Sequence, residues 1–203
     1  MIFVNFGQKQ EFFVKKVVEY LIAYFFKFIF FFRYRIIVKG LDKLTPEHLK
    51  KSGGVLFLPN HPSYFVDPIA ATLAVWPKFP IRPMVVEYMY YTPFIHPIMK
   101  FMDALPIPNF ATSSNSLKRK KSEKIIQTVI DDLKKGQNFL IYPSGKVKYT
   151  AYEAIGGASA VHHILKEAPE ANIVLVRIKG LWGSSFSRAL ANAAPSLSTV
   201  AWE

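Results

Sequence analysis

Apolar residues recur along this chain in two rhythms. Over residues 9–34 they recur at helical spacing, with no Gly or Pro to break the run. At roughly 100° per residue, Glu11, Lys15, Lys16, Glu19 and Lys27 fall within one half of the helical wheel. Val14, Val17, Val18, Leu21, Ile22, Phe25, Phe28, Ile29 and Phe32 lie largely on the other half, while Phe12, Phe26 and Phe30 blur the polar side. A membrane span needs about 20 predominantly apolar residues, and here Lys27 splits the longest runs, Tyr20–Phe26 and Phe28–Phe32. Three readings stay open: a helix packed on a domain core, a tilted span with snorkelling lysines, and a helix lying in a bilayer interface. The aromatic face and the Lys-bearing stripe favour the interface. Residues 1–34 are therefore expected to form an amphipathic, membrane-associating helix ahead of a domain at 35–203. Arg33, Arg35 and Lys39 follow, where anionic headgroups would attract them.

Beyond residue 34 the apolar runs shorten to strand length and alternate with helical stretches. Strands are predicted at Tyr34–Val38, Val55–Leu58, Arg82–Val86, Phe139–Tyr142 and Ile173–Ile178. Helices are predicted at 45–51, 68–75, 93–102 and 158–168. A further helix opens on the basic run 117–124, repeats Ile125, Ile126, Val129, Ile130 and Leu133 on one face, and ends at Gly136. Its lysines read equally as a solvated face or as holders of phosphate. Leu105–Pro108 is extended, and the Ser-rich 109–116 is a loop. The alternation predicts an α/β fold, a largely parallel sheet flanked by helices. In such sheets ligands gather beyond the carboxyl ends of the strands.

Composition narrows the picture. The 203 residues suffice for one domain with a sizeable core. With 51% hydrophobic residues and 18 Phe, some apolar surface is expected to face a partner other than water. Cys is absent, which excludes a disulfide framework, a thiol nucleophile and a Cys-ligated metal. His162 and His163 would point about 100° apart on a helix, His48 sits among polar neighbours, and His96 reads as packed or surface; no metal site is expected. A net charge of +12 attracts polyanions, either anionic lipid or nucleic acid. No nucleic-acid-reading motif accompanies it, so membrane lipid is the expected partner and nucleic acid is not. Met1–Gln10 lacks the pattern of a cleavable signal.

The candidate chemistry lies in two turns that each leave an apolar strand. The first, 59–68, is punctuated by Pro59, Pro62 and Pro68 and carries His61 and Asp67, six positions apart. An imidazole with a carboxylate to orient it is the material of a general base. A turn histidine paired with a helix-capping aspartate fits the same residues. The second turn, Tyr142-Pro143-Ser144-Gly145-Lys146, offers the Gly145 N–H, Lys146 and Lys148 to a phosphate. Ser63 and Ser144 are hydroxyls in reach of these turns, but neither sits in a G-x-S-x-G elbow. Direct attack by a substrate hydroxyl is the simplest chemistry.

Asn60-His61-Pro62 with Asp67-Pro68 resembles the first motif of the glycerolipid acyltransferase superfamily, the glycerol-3-phosphate and lysophosphatidic acid acyltransferases. Tyr142-Pro143-Ser144-Gly145 resembles that superfamily's Phe-Pro-Glu-Gly-Thr-Arg block, and order and spacing agree from about residue 33 to 183. The sequence also departs from the pattern. Five residues, where four are usual, separate His61 from Asp67; Ser144 stands for the usual Glu, Val147 for the usual Arg, and Asn109 where the middle block often has Arg. The pattern also thins beyond Trp182-Gly183, as in a shortened member. The resemblance implies transfer of a fatty acyl group from an acyl thioester (acyl-CoA or acyl carrier protein, a substrate and no bound cofactor) to a hydroxyl of a lysophospholipid or glycerol phosphate, in phospholipid biosynthesis. It implies His61 as base, Asp67 as its orienter, Asn60, Ser63, Ser144 and Gly145 as substrate-binding residues, and a place at the membrane, on its cytoplasmic face; Lys146 and Lys148 are taken as substrate-binding substitutes for the phosphate-binding residues that the sequence lacks. The departures fit a second reading, a catalytically impaired lipid-binding relative.

Overall fold

The computed structural model of the protein describes residues 6–76, 78–110, 115–156 and 158–189, with side chains from Phe13 onward. Pro77, residues 111–114 of the Ser-rich loop, Gly157 and the C-terminal stretch from 190 lie outside the described residues. Among the described residues five parallel strands form one sheet: β1 (Val55–Pro59), β2 (Ile81–Val86), β3 (Leu105–Ile107), β4 (Asn138–Leu140) and β5 (Asn172–Val176), in the order β3-β2-β4-β1-β5. The helices are α1 (Phe6–Phe31), α2 (Val66–Val75), α3 (Glu87–Tyr90), α4 (His96–Phe101), α5 (Ser116–Lys134) and α6 (Ala160–Glu167). This is the α/β architecture the alternation predicts.

β1 is buried along its whole length. Its alternate residues divide the core: Val55 and Phe57 pack with α2 and α4 on one face, and Leu56 and Leu58 with α5 and α6 on the other. Each fully buried Leu or Phe side chain contributes roughly 1.5–3 kcal/mol relative to exposure. Entry to β1 is fitted to glycine, because a Cβ on Gly54 would meet the Gln137 carbonyl oxygen at 1.8 Å. Asn115 caps α5 by accepting from the Lys118 N–H at 2.9 Å. In the basic run, Lys121 pairs with Glu87, and Lys118 Nζ donates to the Asn109 carbonyl at 2.7 Å.

Several local expectations change. Tyr34–Val38 joins no ladder among the described residues; it runs along a groove of about 550 Å³ walled also by α2 and by β5 and its continuation. Residues 45–51 form a single turn, with the Leu49 and His48 N–H groups both on the Thr45 carbonyl, since so short a segment does not propagate a helix. The helix foreseen at 93–102 begins at His96, which leaves Pro97 in the first turn, where its missing N–H has no helical partner to lose.

The largest change concerns α1. Its packed seam is Val18, Glu19, Ile22, Ala23 and Phe26. Glu19, expected on a polar stripe, is buried, and burial pushes its carboxyl above the ordinary value while Lys15 and Lys16 oppose the rise. Much of the expected lipid face stays open: Val14, Val17, Leu21, Phe25, Phe28, Ile29 and Phe32 are exposed, together with Phe13, Tyr20, Tyr24 and Phe31. Apolar residues thus occupy both the seam and the outer surface. Among the described residues, no helix is long and apolar enough to cross a membrane.

Candidate active site

β1 and β4 are parallel neighbours, with Leu56 opposite Phe139 and Phe57 opposite Leu140. The chain segments that follow them therefore leave the same edge of the sheet side by side. That topology brings the His61 turn against the Tyr142–Lys148 turn.

His61 Nδ1 lies 2.8 Å from Asp67 Oδ2, with the imidazole 16% exposed and the carboxylate fully buried. Ser63 Oγ donates to the other oxygen, Oδ1, at 3.0 Å. An ionised carboxylate only accepts, so against it Nδ1 is the donor of this bond. Burial pushes the Asp67 carboxyl above its ordinary value, and the bonds from His61 and Ser63 oppose part of that rise.

The extra residue between His61 and Asp67 is absorbed before α2 begins. Phe65 has φ 59° and ψ −51°, and the Val66 N–H reaches back to the Tyr64 carbonyl at 2.5 Å. This is a γ-turn with a positive central φ, a rare and strained form, costing on the order of 1–3 kcal/mol at a non-glycine residue. It turns the chain so that Asp67, in the first turn of α2, faces back toward His61.

The backbone of His61 is gripped from the second turn. Its N–H donates to Glu153 Oε2 at 3.0 Å, and its carbonyl accepts from the Lys148 N–H at 3.0 Å. The imidazole lies against the Tyr142 ring, with centroids 4.1 Å apart. The Tyr142 hydroxyl is buried, with no hydrogen-bond partner among the described residues. Burial, then the carboxylates of Asp67 and Glu153, push its phenol well above the ordinary value. Tyr64 ties the site to the end of the described chain, since its N–H meets the Phe186 carbonyl at 2.8 Å and its hydroxyl accepts from Arg188 Nε at 2.5 Å.

The other sequence-predicted residues fall into different places. Asn60 joins β1 to the continuation of β5: its Nδ2 donates to the Ile178 carbonyl at 3.1 Å and its Oδ1 accepts from the Ile178 N–H at 2.6 Å. The geometry makes it a staple that also lines the groove beside His61. Ser63 is fully buried on Asp67, again an orienting group. Ser144 is also buried and donates to Glu153 Oε1 at 2.5 Å. The Gly145 N–H, expected to meet phosphate, closes its own turn on the Tyr142 carbonyl at 3.0 Å; the residue needs glycine for its φ of 62°. Lys146 lies exposed over the Tyr149 ring. Lys148 Nζ donates to the Ala151 carbonyl at 2.9 Å and sits 4.3 Å from the Trp182 ring centroid.

Lys148 also lines a groove of about 570 Å³ that adjoins Asn60 and Pro62, the neighbours of His61, with Arg177, Lys179 and Tyr152 in its walls. Sequence reasoning passed over Glu153 and the Tyr142 ring contact. Tyr142 had a signal, as the last apolar residue before the second turn. Glu153 had only its place as the first carboxylate after that turn, within a stretch of no periodicity.

The class is a parallel α/β sheet with a hydrogen-bonded histidine–aspartate pair at its carboxyl edge. The family described as Acyltransferase matches residues 35–179. The chain belongs to this acyltransferase family. No curated protein matches it. Among solved structures it is similar to the 1-acyl-sn-glycerophosphate (LPA) acyltransferase PlsC from Thermotoga maritima, at 13% identity and a TM-score of 0.44 over 84% of this chain and 85% of that one.

Proposed function

We propose that the protein transfers a fatty acyl group from an acyl thioester, acyl-CoA or acyl carrier protein, to the hydroxyl of a lysophospholipid or glycerol phosphate. The 2.8 Å contact between His61 Nδ1 and Asp67 Oδ2, in a chain of the acyltransferase family, carries the reading. His61 Nε2 takes the proton of the acceptor hydroxyl as its oxygen attacks the thioester carbonyl. Asp67 stabilises the imidazolium that forms. The tetrahedral intermediate collapses with cleavage of the C–S bond, and the imidazolium returns its proton to the departing thiolate. The step needs neither an acyl-enzyme nor a metal.

The acceptor's anionic headgroup is assigned to the groove beside His61, where Lys148, Arg177 and Lys179 supply positive charge. The apolar outer surface of α1 is assigned to the interface of an anionic bilayer. Its exposed aromatics, followed by Arg33, Arg35 and Lys39 and backed by a net charge of +12, suit lipid tails and headgroups together. The test is thiol release from long-chain acyl-CoA and acyl carrier protein, with and without lysophosphatidic acid. Release that depends on acceptor and disappears in His61→Ala, with the circular dichroism spectrum retained, is the expected result. Full turnover by His61→Ala would refute the mechanism.

A further inference from the structure

We infer that Glu153 is a positioning residue for the base, acting through the backbone of His61; this role rests on the acyl-transfer reading above. Its two carboxylate oxygens have separate tasks. Oε2 accepts the His61 N–H at 3.0 Å, and Oε1 accepts the Ser144 hydroxyl at 2.5 Å. Ser144, at the head of the second turn, thus fixes the carboxylate, and the carboxylate fixes the peptide that carries the imidazole. The Lys148 N–H on the His61 carbonyl completes the grip from the same segment. Charge-assisted bonds of this kind hold geometry more firmly than neutral ones. Glu153 contacts neither Nδ1 nor Nε2, so its effect is on where the ring stands. The sequence accounts for the arrangement. Ser144 offers a hydroxyl and no carboxylate, and the 145–153 loop brings the Glu153 carboxylate to both Ser144 Oγ and the His61 N–H. The preceding residue reinforces the constraint, because both ends of the Asn60 amide are engaged with Ile178. With its backbone held on both sides and its ring against Tyr142, His61 has little freedom except along the line to Asp67.

The test compares wild type with Glu153→Ala, Glu153→Gln, Ser144→Ala and the Ser144→Ala/Glu153→Ala double variant. A displacement of about 1 Å at a reacting group lowers turnover by about 10²-fold, so Glu153→Ala is expected to lose roughly 10- to 100-fold in kcat, with KM for the thioester unchanged. Gln keeps an acceptor for the His61 N–H, and its amide donates to Ser144 Oγ, whose own proton can pass to the Lys146 carbonyl 2.9 Å away. Glu153→Gln should therefore recover most of the lost kcat. The double variant should fall no further than Glu153→Ala, since both changes break one chain of contacts. Unchanged kcat in Glu153→Ala, or a loss matched by unfolding in circular dichroism, overturns the role. A second readout needs no turnover: the His61 amide hydrogen should exchange with solvent faster in Glu153→Ala than in wild type and stay protected in Glu153→Gln. Equal exchange in wild type and Glu153→Ala overturns the contact. A wild type that consumes no thioester refutes the acyl-transfer reading and with it any catalytic role for Glu153, whereas an active wild type with an indifferent Glu153→Ala refutes the positioning role alone.

Discussion

Asp67→Asn separates the charge of the buried carboxylate from its shape. Oδ2 accepts from His61 Nδ1 at 2.8 Å and Oδ1 from Ser63 Oγ at 3.0 Å. An amide of the same size can accept from the imidazole while its NH₂ donates to the serine oxygen. What disappears is the negative charge. With charge centres roughly 4 Å apart and an effective dielectric near 20, that charge stabilises an imidazolium by about 4 kcal/mol. At about 1.4 kcal/mol per decade the expected fall in kcat is roughly 10³-fold. Stability should move in the opposite direction. Burial raises the Asp67 carboxyl above its ordinary value of 3.8, so the folded chain binds this proton more tightly than the unfolded chain. Between the ordinary and the raised value the folded state carries more protons, and stability declines as pH rises through that window. Above the window the deficit is complete, and below it the deficit vanishes. Asparagine has no such deficit, so Asp67→Asn should melt above wild type at pH 7, with the gap closing as pH falls through about 4. Turnover can be followed with a thiol-reactive chromophore free of protein background, because the chain has no Cys. A kcat within tenfold of wild type would refute the electrostatic role. A lower melting temperature at pH 7 would refute the burial argument.

Two further outcomes follow from the same geometry. Phe65→Pro forces φ to about −65°, abolishes the γ-turn at φ 59° and swings Asp67 away from His61; kcat should drop at least as far as in Asp67→Asn. Phe65→Gly, which takes positive φ readily, should keep kcat within about threefold, and equal turnover by the two variants would exclude the turn as the device that aligns the pair. On α1, Phe25 and Phe28 are 60% and 63% exposed. Replacing both with Glu removes up to about 1.5–3 kcal/mol of apolar contact each, so cosedimentation with anionic vesicles should fall by about 100-fold or more. Wild-type binding should weaken as salt rises, and unaltered binding by the double variant would exclude this face as the lipid contact.

The sheet was legible because burial left a plain mark on it. Val55–Leu58 and Phe139–Ile141 are unbroken apolar runs, and in the structure they are the buried centre of the sheet. Tyr34–Val38, apolar apart from Arg35, joins no ladder among the described residues, because apolar content alone does not say whether an edge has a partner. The α1 wheel marked the face that stays open, but not the packed seam. Val, Ala and Phe interleave with the polar half of the wheel, and burial of Glu19 ran against its charge.

At the site, proximity was legible and purpose was less so. Parallel neighbours release their turns at one edge, so two turns bearing His61 and Ser144 had to meet. Asn60, Ser63 and Ser144 look like ligand groups in one dimension because they are polar and lie beside the base. In three dimensions each is committed to a protein partner: Ile178, Asp67 and Glu153. The unusual spacing and the missing acid at 144 are answered by different physics. The spacing is met locally, by strain concentrated in one residue, Phe65. The missing acid is met at a distance, by Glu153 from the following loop. A local answer follows from the dihedral angles of its own segment. A distant one depends on where a loop of no periodicity comes to rest, which is why the sequence marks Glu153 only as the first carboxylate after the turn and its role is visible only in the fold.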